Sequence, residues 1–543
     1  MRPPTFALAV AASTISLAVV SGAAAQQAPH EHSASRVRLG TVHFETSCAP
    51  AVRQEFDRGI ALLHSFWFSA AIESFTTVRK TDPNCVMAQW GIAMSWWGNP
   101  FAGFRSPQAL KSGLAAVDAA KAAGAGTDRE KAYVAAVDRL FRDFATVDQR
   151  TRTLAYEKAM EELAAKYPED TEARIFYALA LDQTALPSDK TYANQLKAGA
   201  MLEKIFPLEP DHPGITHYII HSYDVPALAP RALDAARRYA KIAPDAPHAL
   251  HMPSHTFTRV GSWQESIEAN LASAEAARKD HAAAEELHAL DYQTYAYLQT
   301  AQDAAARRTV EMIAPLRERI QTPGAGNAAP PPAGYYALAA IPARYALERN
   351  AWAEAATLTP NETAFAWADA VTRFARALGA ARSGNAAAAR QEIDRLAALR
   401  DTLEKAKDAY WSGQVEIQRR GAAAWAALAE GRQQEAIAMM RETADMEDAT
   451  EKAAVTPGPI KPARELLGEM LLQLNRPAEA LTEFETAMKK EPNRFRALYG
   501  AAQAATAAGK RQKAATYYAS LREITKKADE PGRPELAQVR KGT

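Results

Sequence analysis

The chain has 543 residues, 48% of them hydrophobic and 23% charged, with 64 Lys and Arg against 63 Asp and Glu, and two cysteines. A formal charge of +1 argues against a strongly basic nucleic-acid binder and against an acidic tail protein. The apolar content excludes wholesale disorder, the cysteine count excludes a disulfide-dense scaffold, and the length exceeds one ordinary globular core. The first element is a leader. Arg2 precedes the apolar run FALAVAASTISLAVV, which is short for a membrane span, and Ala23, Ala24 and Ala25 supply a small-residue cleavage pattern. Residues 1–25 are therefore expected to be a cleaved signal peptide. Its loss removes Arg2 and leaves 63 basic against 63 acidic residues, with no membrane span in the remainder. In a Gram-negative cell the destination is the periplasm. Residues 26–45, with His30 and His32, read as a flexible segment.

Residues 46–320 begin with a helical hairpin flanked by Cys48 and Cys85. In an oxidising compartment a lone pair of cysteines is expected to bridge, closing a loop of 85 − 48 = 37 residues. On the chain-entropy argument such a loop contributes about 3–4 kcal/mol. No C-x-x-C or C-x-x-C-H is present, so neither thioredoxin-type chemistry nor covalent haem is indicated. Within the hairpin, Gly59, Ala71, Phe75 and Pro83 recur at positions also occupied near the other end of the chain. Trp67, Phe68, Trp90, Trp96 and Trp97 read as packing of these first helices, and His64 likewise.

Eight of the twelve histidines lie between residues 212 and 288. In HPGITHYIIHSYDVP, His217 and His221 form an i,i+4 pair on one helix face; in HALHMPSHTFTRVGSW, His251 and His255 form another. The offsets are 251 − 217 = 34 and 255 − 221 = 34, so the two pairs occupy equivalent places in adjacent units. The next unit is shifted by 40, which puts His288 under His248 and Asp291 under His251. Imidazoles and one carboxylate converging from stacked helices are a ligand set for Zn, Cu, Ni or Fe. The candidate metal ligands are His217, His221, His251, His255, His288 and Asp291, with His248 as a further member. Asp224 and Tyr292 are candidate partners behind them. The plain alternative is that such pairs pack in a groove and were copied with the repeat. No H-E-x-x-H, G-x-S-x-G, P-loop or dinucleotide fingerprint occurs, so no reaction is legible.

Residues 321–334 (QTPGAGNAAPPPAG) read as a linker between two helical halves. Residues 335–526 hold the clearest repeats. In one, Gly431 lies in a turn and Ala436 at a packing position; in another, Leu467, Gly468, Ala480, Phe484, Ala487 and Pro492 recur in register. Ala514 and Tyr518 follow Ala480 and Phe484 by 34 residues. Residues 527–543 read as a polar tail.

That spacing resembles the tetratricopeptide repeat, in which small residues mark the close helix crossing and a large one fills the gap to the next repeat. The resemblance implies an all-α, right-handed superhelical solenoid of about 8–10 helical pairs. It also implies that the histidine positions line a concave groove, where a protein, peptide or small-molecule ligand binds. The blocks SCAPAVRQEFDRGIALLHSFW, DPNCVMAQWGIAMSWW, HPGITHYIIHSYDVP, HALHMPSHTFTRVGSW and VTPGPIKPARELLGEMLL together look like a family of exported bacterial tetratricopeptide repeat proteins. That likeness implies export and one elongated helical body, and it supplies no activity. The first reading is a periplasmic scaffold binding a partner in its groove; the alternative is a metal-binding protein or metalloenzyme.

Overall fold

The computed structural model describes residues 37–103, 105–320, 328–360 and 362–542, together with Met1. The expected leader at 2–25, its cleavage site, and His30 and His32 lie outside the described residues. Alanine-rich segments, strong helix formers, give 26 α-helices and no strand among those residues. Local chemistry starts several of them. Thr127 and Glu130 form a reciprocal capping box, Asp148, Asp170 and Asn385 cap other helices, and Pro107, Pro213 and Pro477 stand in a first turn, where no N–H is needed. Successive helices pack against one another along the chain, which is the expected all-α solenoid of tetratricopeptide type. No described helix is long and apolar enough to cross a membrane.

The packing follows the spacing read from the sequence. The Phe75 ring sits between Gly59 and Gly91, where added Cβ atoms would come within 2.7 and 2.5 Å of it. Phe484 sits in the same way between Gly468 and Gly500, so a side chain at either glycine would enter the ring's space. Ala71, Ala436 and Ala480 are fully buried at the crossings, and Gly431 makes its turn at φ +81°. Cys48 and Cys85 form a disulfide across the first hairpin.

Three segments depart from the expected boundaries. Residues 38–45 are not a loose extension. Phe44 is buried against Phe56, Trp90 and Tyr133, and the Thr41 N–H donates to the Asp211 carbonyl at 3.0 Å. Of the expected linker, 331–334 are the first turn of the helix Pro331–Glu348, because consecutive prolines suit a helix start and block only its interior. Arg38–Thr543 form one compact unit instead of two halves. The tail is docked: the helix Leu536–Lys541 buries Leu536 and Val539, and Arg533 pairs with Asp303.

That docking belongs to a larger closure. The last repeats fold back on the middle ones: the Trp263 indole N–H donates to the Asn493 carbonyl at 2.7 Å, and the Phe495 N–H to Gln299 Oε1 at 3.0 Å. The non-helical residues 449–462 reach across to the helix Pro331–Glu348. Arg344 receives them through the carbonyls of Gly458 and Pro459, each at 2.9 Å.

Candidate metal centre

The histidines come from four neighbouring helices. His212 caps the helix Pro213–Ser222, its ring Nδ1 accepting the Gly214 N–H at 3.1 Å, and this helix carries His217 and His221. Pro253 has no N–H and divides the next stretch into Pro247–His251, with His248 and His251, and Pro253–Val260, with His255. His288 stands on Ala283–Gln299.

The i,i+4 spacing brings each pair into contact through its outer nitrogens. His217 Nε2 and His221 Nε2 lie 3.1 Å apart, and so do His251 Nε2 and His255 Nε2. A third ring joins each pair from the following repeat. His248 lies 5.0 and 6.3 Å from His217 and His221 between ring centroids; His288 lies 4.4 and 6.3 Å from His251 and His255. The result is two triads, His217–His221–His248 and His251–His255–His288, each with its donor atoms within 4.8 Å of one another. All six rings are buried.

Partners behind the rings assign their protons. His251 Nδ1 lies 2.7 Å from Asn270 Oδ1, and the Asn270 amide donates to the Ser266 carbonyl at 2.7 Å, so the oxygen faces the ring. His255 Nδ1 donates to Asp224 Oδ2 at 2.8 Å, and His217 Nδ1 to the His64 carbonyl at 2.6 Å. His251 Nε2 and His255 Nε2 are then both acceptors, lone pair facing lone pair. A proton between them would relieve this, but burial holds both rings well below or below the usual imidazole range. The other four rings are lowered too, burial being the chief cause, with His217 and His288 down to about 3. Neither nitrogen of His248 has a hydrogen-bond partner among the described residues. His217, His251 and His255, each oriented through Nδ1 with Nε2 turned to its pair partner, stand in the form in which neutral histidine binds a transition metal.

Asp224 and Tyr292 both lie beside His255. Asp224 also receives Arg259 Nε at 2.8 Å and Lys452 Nζ at 2.9 Å; these cations outweigh burial and keep its carboxyl well below the usual range. Lys452 is itself lowered to about 8 by burial. The Tyr292 hydroxyl lies 3.4 Å from His255 Nδ1 and donates to the Thr456 carbonyl at 3.0 Å. Asp291 is a correction. It joins neither triad, because Arg344 Nε holds its Oδ1 at 2.9 Å in a fully buried ion pair. The exposure expected of a groove is also absent here: Lys452, Ala454 and Thr456 of the 449–462 segment cover this face through Asp224 and Tyr292.

Sequence reasoning missed a second histidine group. Glu172 accepts His64 Nε2 at 2.9 Å and His212 Nε2 at 3.0 Å, and Tyr218 OH meets His64 Nδ1 at 2.9 Å. The two histidines overcome burial and lower Glu172 to about 2. Every nitrogen there has a partner of the opposite hydrogen-bonding sense, so this group is a satisfied network. Its one sequence signal is His212, placed as an N-cap. Phe66 and Phe101, also unforeseen, wall the centre, Phe101 stacking on His221 at 4.2 Å. Beyond Phe66 lies a cavity of about 820 Å³ lined by Phe68, Trp96, Trp97, Arg105, Tyr335 and Phe365.

No protein-family model matches the chain, and no curated protein matches it. Among solved structures it is similar to the human IFIT1 dimer with m7Gppp-AAAA, at 13% identity over 81% of this chain and 90% of that one, with a TM-score of 0.39. It is similar to yeast Tom70 at 11% identity over 90% and 88% (TM-score 0.28), and to the P58(IPK) TPR domain at 14% over 68% and 98% (TM-score 0.20). At such scores these likenesses carry no argument about ligands or partners.

Proposed function

We propose that the chain is a helical-repeat protein that binds transition metal through the two buried histidine triads. The observation that carries this is the His251–His255 pair. Two buried, neutral imidazoles present acceptor nitrogens to each other at 3.1 Å, with both Nδ1 atoms already committed as donors. A cation between them turns a repulsion into two bonds, and a 3.1 Å separation suits an N–metal–N angle of about 100° at bond lengths of about 2.0–2.1 Å. The leader-like first residues support export, to the periplasm of a Gram-negative cell, where the Cys48–Cys85 bridge persists.

The test is elemental analysis of untagged protein, followed by uptake from a buffered metal solution. Stoichiometric Zn, Cu, Ni or Fe is expected, reduced in the His251→Ala/His255→Ala variant and lost when His217→Ala/His221→Ala is added, with the helical circular dichroism retained. Protein that holds no metal and takes none up would refute the reading. A second reading, capture of a protein, peptide or small molecule, is favoured by the aromatic-lined cavity beside the centre. Its mark is a change in Trp96 and Trp97 fluorescence on titration with small aromatic compounds, which Trp96→Phe/Trp97→Phe abolishes.

A further inference from the structure

We infer that the centre holds two ions, one in each triad, and that they are copper(I). This rests on the metal-binding reading above. The number follows from how the donors divide. They form two separate sets of three, and no set of four is within mutual reach among the described residues. Each set has the same composition: an i,i+4 pair from one unit and a single ring from the next. The steps between them are the repeat offsets of 34, 34 and 40 residues. What the fold repeats in protein it repeats in ligand sites. The two sets are neighbours in one buried space, with His248 and His251 at 6.0 Å between ring centroids and His221 and His255 at 6.3 Å. His248 has no hydrogen bond to give up on joining the first pair, and Phe66 stacks against its ring.

The identity follows from charge. All six donors are imidazoles, which bind metal as neutral ligands, and neither triad contains an anion. The nearby carboxylates lie outside both triads: Asp224 is held by Arg259, Lys452 and His255, Glu451 by Lys190 and Arg259, and Asp291 by Arg344 through Oδ1. Lys452 and Arg259, almost fully buried, share Asp224 as their counter-ion beside the site, so that carboxylate is not a spare charge for a bound ion. The cost of burying an ion rises with the square of its charge. Two divalent ions would bring four positive charges to this space without an anionic ligand; two copper(I) ions bring two. Copper(I) also accepts three imidazoles as a complete coordination shell, whereas Zn, Ni and Fe(II) seek a fourth or further donor. The rings of Phe66 and Phe101 against His248 and His221, with Lys452 of the 449–462 segment on Asp224, suit the ion with the smaller shell.

The experiment uses the full, untagged, metal-free chain, titrated anaerobically with copper(I) against bicinchoninate as the competing chromophore. The expected result is two equivalents withheld from the chelator, with no electron paramagnetic resonance signal and nitrogen-only scattering in X-ray absorption. His248→Ala and His288→Ala are each expected to withhold half as much. A single equivalent in the wild-type protein overturns this inference and leaves the metal-binding reading standing. So does displacement of copper(I) by an equal concentration of Zn²⁺. Uptake of no metal overturns both. The wild-type stoichiometry decides the matter even where a variant fails to fold.

Discussion

His251 shows how much of a site one residue can carry and how little of it is local. The i,i+4 partner His255 and the 34-residue echo of His217 and His221 are visible in the sequence, because helix geometry and repeat register are short-range properties. The proton on Nδ1 is not visible, since it depends on Asn270, a residue on the helix Trp263–Lys279. Asp291 shows the converse: its position in the repeat is that of a ligand, and Arg344, 53 residues later, takes it away. A different buried acid offers a pH test. Glu285 is 2% exposed, accepts the Ala329 N–H at 2.7 Å, and is pushed up to about 7 chiefly by burial. Its folded value lies above its unfolded value of 4.5, so the folded state keeps the proton. The stability this contributes is complete below about pH 4.5 and is lost as pH rises through about 7. Glu285→Gln keeps an acceptor for Ala329 and cannot ionise. At pH 8.5 the variant is expected to be more stable than the wild type by on the order of 3 kcal/mol, with little difference at pH 4.5, as read by urea unfolding at both.

For the helices, the small–large–small spacing is the part of the fold that sequence conveys best. Phe75 and Phe484 each follow one glycine by 16 residues and precede the next by 16, at opposite ends of the chain. The reason is geometric: helices that cross closely need a residue without a side chain wherever a ring from the intervening helix enters. Phe484→Ala empties that space without allowing the two glycines to fill it. A loss of about 3–5 kcal/mol is expected, seen as a lower urea midpoint with an unchanged slope. Composition misled at 38–45, 331–334 and 527–543. These segments are polar or proline-rich on average, yet Phe44, Leu536 and Val539 are each buried to 1% exposure, and a few docked side chains order a whole segment.

Across the whole molecule, the repeat array is closed by long-range polar clamps. Arg494 lies fully buried between Glu348 and Glu465, with Nε 2.6 Å from Glu465 Oε1, and joins segments 146 and 29 residues away. Arg494→Met leaves two buried carboxylates without their cation. The expected cost is about 3–5 kcal/mol in thermal or urea unfolding, partly restored by adding Glu348→Gln and Glu465→Gln. The same closure carries residues 449–462 over the histidines, and this turned an expected open groove into a covered centre. The sequence by itself determined the helical repeat, its packing register and the histidine pairs, because each depends on residues within one or two repeat lengths. Only the tertiary structure decided which acids were free, which nitrogens carried protons and whether the centre met solvent. Those depend on contacts such as Asp224 with Lys452 and His217 with His64, 228 and 153 residues apart, for which a repeat pattern holds no record.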